Sequence, residues 1–260
     1  MTKEHKEYLK KYKREKIIVI SFQILILIGF LIIWELLSKY KIINPFIFSS
    51  PSKVIETIIN LYLHYNLIGH ILTTLYETLI AFILGITLSF IIAIVLYEFK
   101  TLNKIVDPYL TMLNSLPKVA LGPLLSIIAG ANTKSIIVMA LLINLIVGIM
   151  SIYNGFNNID KDLIKLFKTF KATRLDILFK LTIPASYKTI ISSLKLNISM
   201  TLIGVIMGEF LVSKSGLGYL IIYGTQVFNL NMVMSGIVIL IIISFVLYKI
   251  ITYIEKKLLK

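Results

Sequence analysis

The chain has 260 residues, is 57% hydrophobic and carries a net charge of +14. That apolar content exceeds what a water-soluble domain of this size needs for its core, and the absence of cysteine excludes disulfides, cysteine-based metal sites and cysteine nucleophiles. The excess of Lys and Arg invites a nucleic-acid reading, but those residues sort by membrane topology instead.

A bilayer's hydrocarbon core is about 30 Å thick and asks about 20 mostly apolar residues of a spanning helix. Residues 1–16 form a basic tail, and residues 17–37 (IIVISFQILILIGFLIIWELL) meet the spanning requirement alone. The run is too long for the apolar region of a signal peptide, about 7–15 residues, and no small-residue cleavage site follows it. Ser50-Pro51 then starts a helix of about three turns with Val54, Ile55, Ile58 and Tyr62 on one face. That length suits an interfacial helix outside the cell membrane, closing a first unit at 17–64.

Further spans are predicted at 71–97, 107–129, 134–154, 185–211 and 231–254, giving an all-α integral membrane protein with six transmembrane helices. In the second, Ala81, Gly85, Ser89 and Ala93 recur every four residues, a small-residue stripe that lets another helix approach closely. The third is predicted to open at Asp107-Pro108, an N-cap with proline at the first helical position, and to be bent by Pro117 and Pro123. The fifth carries Gly204 and Gly208 four apart, with the same packing consequence.

Of the 27 Lys and Arg residues, 18 fall in the two tails (1–16 and 255–260) and the 98–106 and 155–184 loops, and five in the opposite loops. The positive-inside rule then places both termini in the cytoplasm. The basic charge is topology, and no nucleic-acid partner is expected.

Chemistry-bearing motifs are absent. There is no Gly-x-x-x-x-Gly-Lys-Ser/Thr loop to cradle ATP phosphates and no His-Glu-x-x-His. His5, His64 and His70 lie outside the predicted membrane core. No catalytic set, cofactor or metal is expected, so the chain reads as no enzyme.

The most informative stretch is 157–184. Ile159, Leu163, Leu166, Phe167 and Phe170 share one face of a short helix, with Lys161, Lys165 and Lys168 on another. The pattern breaks at Lys171-Ala172. Thr173-Arg174-Leu175-Asp176 is a capping-box pattern that starts a second helix with Ile177, Leu178 and Leu181, which Pro184 is expected to close. Two such helices, too short to span, fit a pair lying in the lipid interface or a knob docking into a groove on a soluble partner; composition does not separate the two.

The stretch KLFKTFKATRLDILFKLTIPAS (165–186) resembles the coupling loop of binding-protein-dependent ABC importer permeases, the type I transmembrane domain. That family's pattern is roughly E-A-A-x-x-x-G-A-S/T followed, about ten residues on, by an apolar residue and Pro-Ala. Ala172-Thr173 and Ile183-Pro184-Ala185 match, whereas Lys165 stands at the family's Glu and Lys171 at its turn-forming Gly. Ser50–Val54, Asp107-Pro108-Tyr109 with Leu116–Pro123, and Gly208-Glu209-Phe210 with Ser215–Ile221 are similar to the sulfonate, nitrate and taurine branch of the same family. The resemblance implies a permease domain over 65–254 with its coupling loop at 157–184. It also implies two ATP-binding subunits gripping Lys165, Phe167, Lys168, Phe170, Lys171, Ala172, Thr173 and Pro184, an extracytoplasmic solute-binding protein, and a second permease subunit in a homodimer. The implied cargo is a small solute such as a sulfonate, nitrate, taurine or a vitamin precursor.

Positions 188, 192, 195, 199, 202, 206 and 209 lie on one stripe of the fifth span and read Lys, Ser, Lys, Ser, Leu, Ile, Glu. Polar side chains inside a span usually face the bundle interior or a water-filled cavity. Ser192, Lys195, Ser199 and Glu209 are therefore candidates for the translocation path. Lys118 in the proline-broken third span is another, and with Lys195 it hints at an anionic solute. Gly216 and Gly218 permit either an ordinary tight turn or a gate between the last two spans. A self-contained secondary carrier is the competing class, but no internal repeat of the kind common in carriers is present.

Overall fold

The computed structural model describes residues 3–259; Met1, Thr2 and Lys260, at the ends of the two predicted tails, lie outside the described residues. Every regular element among the described residues is helical. Helix α1 (Lys3–Lys39) is one rod through both the predicted tail and the first span, and α2 (Pro45–Phe48) is a single turn. Then come α3 (Pro51–His64), α4 (Leu67–Glu98), α5 (Lys100–Ser115), a 3-10 turn (Lys118–Leu121), α6 (Gly122–Ala129) and α7 (Thr133–Asn157). The remainder is α8 (Lys161–Thr169), α9 (Arg174–Ile177), a π turn (Leu178–Thr182), α10 (Ile183–Val212), α11 (Leu217–Gln226) and α12 (Leu230–Leu258).

Among the described residues five helices are long and apolar enough to cross a membrane: the part of α1 from Lys10, α4, α7, the continuous rod from Arg174 to Val212, and α12. The bundle's centre is α7 packed between α4 and α10. The small-residue stripe does what its period predicts, since Ala81, Gly85, Ser89 and Ala93 are all buried. Ser89 donates to the Leu145 carbonyl at 3.0 Å, and Asn144 bridges the three helices by donating to the Ala81 carbonyl (3.1 Å) and Thr201 Oγ1 (2.7 Å). Gly204 admits α7 so closely that a Cβ there would come within 2.6 Å of Ala140 Cα. Close backbone approach plus hydrogen bonds between helices is how association proceeds where lipid removes the usual hydrophobic driving force.

Three expectations are corrected. The third predicted span is not one helix and does not start at Asp107: α5 begins at Lys100, runs through Pro108 and stops at Leu116, whose extended backbone (ψ 139°) precedes Pro117. Proline disfavours helical geometry in the residue before it, so the break falls there. Pro184 does not close a helix either. It lies in the first turn of α10, and the π turn before it widens the spiral, with Ile183 N–H reaching back to the Leu178 carbonyl. A proline ring crowds the carbonyl four residues earlier, and a locally widened turn is a common way to carry a helix past such a site. On α3 the inward face is Val54, Ile58 and Leu61, whereas Ile55 and Tyr62 are exposed.

From Lys10 onward helix α1 buries only Ser38 but is held at its end. Glu35 accepts from the backbone N–H (3.0 Å) and hydroxyl (2.9 Å) of Ser52 in the first turn of α3, where a carboxylate also complements the helix dipole.

Candidate functional site

Most of the residues singled out by the sequence collect in three places. The first is the turn between α8 and α9. Helix α8 ends in a Schellman arrangement: Ala172 N–H reaches the Phe167 carbonyl at 3.1 Å and Lys171 N–H the Lys168 carbonyl at 2.9 Å. This requires the left-handed region at Lys171, which has φ +57°. Thr173 and Asp176 form the capping box that their spacing predicts, at 2.6 to 3.1 Å. Hydrogen bonds from Lys180 and Thr173 hold the Asp176 carboxyl down at about 2, so this cap stays ionised and intact through mild acidification.

The apolar face predicted for this segment splits in two. Ile159 and Phe167 turn inward with Ile164, Ala172, Ile177 and Leu181 into a small cluster of their own. Leu163, Leu166 and Phe170 turn outward with Leu175 and Phe179 from the next helix, and Phe170 is 77% exposed. Lys165 is paired on the surface with Asp162 at 2.8 Å.

The second place is α5 and the break that follows it. Helix α5 buries none of its side chains. Lys100, Lys104, Asp107, Thr111 and Asn114 recur at spacings of three and four, which puts them on one stripe of α5. Lys118 Nζ, past the break, bends back to Asn114 Oδ1 at 3.1 Å. Such a stripe cannot face lipid at low cost and belongs against water or another protein surface.

The polar stripe of α10 lies elsewhere and is largely satisfied within the chain. Lys195 forms an ion pair with Glu255 on α12, and Ser192 donates to the same carboxylate at 3.3 Å. Ser199 lines an apolar groove of about 560 Å³ between α10 and α12, together with Leu202, Ile206, Leu240, Phe245 and Tyr248. Glu209, named above as a path candidate, is 0% exposed and faces no open channel.

Glu209 belongs to the third place, the reversal at 213–218. It accepts from Thr74 Oγ1 (2.7 Å) and from the Gly218 N–H (2.5 Å). Leu217 N–H donates to Thr74 Oγ1 at 2.9 Å and Gly216 N–H to His70 Nδ1 at 3.0 Å. Both glycines are steric necessities. Gly216 has φ +106°, and a Cβ on it would lie 2.3 Å from the Glu209 carboxyl. A Cβ on Gly218 would lie 2.7 Å from Glu209 Cβ.

Sequence reasoning missed Thr74, Glu77, Glu255 and the α5 stripe. Glu77 had a signal, because a carboxylate inside a predicted span is a functional candidate by default. The α5 stripe had one too, but it starts seven residues before the predicted span and fell across its boundary.

Residues 85–260 match the family described as binding-protein-dependent transport system inner membrane component. A probable ABC transporter permease protein of Haemophilus influenzae is 30% identical over 86% of this chain and 91% of its own length. The putative aliphatic sulfonates transport permease SsuC of Bacillus subtilis is 25% identical over 88% of this chain and 83% of its own. The formylaminopyrimidine transport permease ThiX of Halalkalibacterium halodurans is 24% identical over 73% and 75%. Among solved structures, the inward-facing MetNI methionine ABC transporter superposes with a TM-score of 0.65 at 18% identity, covering 75% of this chain and 95% of that one.

Proposed function

The chain belongs to the binding-protein-dependent transport inner-membrane family and is an ABC importer permease subunit, and on that premise we propose that a separate ATPase drives it through the α8–α9 surface. In this reading two permease copies pair as a homodimer, two ATP-binding subunits dock from the cytoplasm and an extracytoplasmic protein delivers the solute. ATP binding biases the pair between outward-open and inward-open states by binding one of them more tightly.

The observation that carries the reading is the outward apolar set Leu163, Leu166, Phe170, Leu175 and Phe179 on a segment rich in lysine. A helix pair with its own small core and a second, uncovered apolar face suits insertion into a groove on a soluble partner. Phe170→Asp places a charge at the most exposed of these positions. It is expected to weaken co-purification with the ATPase by about 30-fold, the weight of a ~2 kcal/mol hot spot, while the isolated subunit keeps its thermal stability. Undiminished co-purification would refute the docking site.

Six crossings in the cell membrane fit the chain if α5, the break and α6 together count as one, which puts both termini in the cytoplasm in line with the distribution of Lys and Arg. The α5 stripe with Lys118 supplies the polar wall of the path, with Ser192, Lys195 and Ser199 contributing from α10. The solute is a small anion of the sulfonate kind or a small neutral heterocycle of the formylaminopyrimidine kind, the two cargoes that the relatives' names carry. Lys118→Ala is expected to lower uptake roughly 10-fold without altering subunit stability, since the Lys118 side chain bonds only to its own turn. Unchanged uptake would remove Lys118 from the path.

A further inference from the structure

Two carboxyls meet inside the Gly216 end of the bundle. Glu77 on α4 and Glu209 on α10 are both 0% exposed. Glu209 accepts from Thr74, which lies three residues before Glu77 on the same buried face of α4, so the two carboxyls are neighbours. Their surroundings differ. Glu209 has a donor on each oxygen, the Thr74 hydroxyl and the Gly218 N–H. Glu77 has none: both its oxygens are buried and no protein donor in good geometry reaches either, although Thr133 of α7 stands beside them.

Among the described residues neither carboxyl takes part in a salt bridge. Titratable groups at the same reversal are His70, whose Nδ1 accepts from Gly216 N–H, and Tyr219, stacked on the His70 ring at 5.8 Å. An ionised carboxylate can only accept hydrogen bonds. Two ionised carboxylates facing each other away from water would combine like-charge repulsion with a large desolvation cost. Donors favour the ionised form of the group they reach, which is Glu209.

We propose that Glu77 and Glu209 form a proton-binding site, in which Glu77 is a carboxylic acid that donates its hydrogen to the Glu209 carboxylate. The proton ties α4 to α10 and leaves Glu209 ionised to hold Thr74 and Gly218, and through them the 213–218 reversal. Removing it sets two negative charges against each other directly behind that reversal. The site depends on neither the solute nor the ATPase, so it stands or falls separately from the reading above.

The test is infrared spectroscopy of the purified subunit in lipid nanodiscs at neutral pH, where exposed carboxyls with ordinary values near 4 are ionised. One protonated carboxylic-acid carbonyl band per chain is expected in the parent. It should vanish in Glu77→Gln, whose amide can still donate to Glu209 and so preserves the fold. If Glu77→Gln does not fold, ¹³C-glutamate labelling of the parent reads the same quantity by solid-state NMR as a single protonated carboxyl carbon. No acid carbonyl in the parent, an acid band that survives Glu77→Gln, or stabilisation by sodium in place of the proton would each overturn the assignment.

Discussion

The polypeptide from Arg174 to Val212 ends in two contrasting environments. At the Gly216 end, every polar group around Glu209 that the turn supplies is spoken for by another part of the same chain, and the glycines leave no room for a side chain. At the Lys171 end the turn is equally well capped, yet five apolar side chains face outward. Both ends are built with care; only one is finished. The apolar side chains left uncovered at one end are what the proposed docking would cover, whereas a closed network rigidifies the subunit itself.

The sharpest way to break that contrast is to crowd the closed end. Gly216→Val combines a disfavoured positive φ with a clash against the Glu209 carboxyl, and is expected to cost roughly 3 kcal/mol or more. The measurement is the yield of monodisperse subunit and its thermal midpoint; a stable Gly216→Val protein would mean the reversal is loose rather than packed. At the open end the effects should be graded and smaller. Thr173→Ala removes the cap that starts α9 and is expected to cost about 1 kcal/mol, read as faster amide exchange confined to 174–182. Exchange that rises throughout α10 would instead show that the two ends are one cooperative unit. Lys171→Gly has the opposite sign. Relief of the left-handed strain at φ +57° should stabilise the turn by about 0.5–1 kcal/mol, visible as slower exchange at Ala172 and Thr173. A loss of stability there would mean that the Lys171 side chain makes a compensating contact.

Much of this architecture was legible because its signals are local. Apolar run length located five of the six predicted spans, the four-residue recurrence from Ala81 to Ala93 found the buried face of α4, and Thr173 with Asp176 announced a helix start. Pro184 misled because nothing in the adjacent residues reveals a π turn that carries a helix past it. The fate of Glu209 was hidden for a different reason. Its partners Thr74 and Glu77 lie more than 130 positions earlier on another helix, so a stripe drawn on α10 alone made it look like a path residue. The same limit hid the ion-pair partner of Lys195, which is Glu255 on α12.

The rod from Arg174 to Val212 is 39 residues long, roughly 58 Å at helical rise, and reaches from the uncovered turn to the carboxyl cradle without a gap. It is therefore a lever. If the ATPase docks as proposed, a push at Leu175 acts on the same rod that carries Glu209, with the π turn at Leu178–Thr182 between them. Trimming that joint by one residue would swing the shaft by about 100° beneath everything packed on it, so the extra residue sets the angle at which motion begun at one end is delivered to the other.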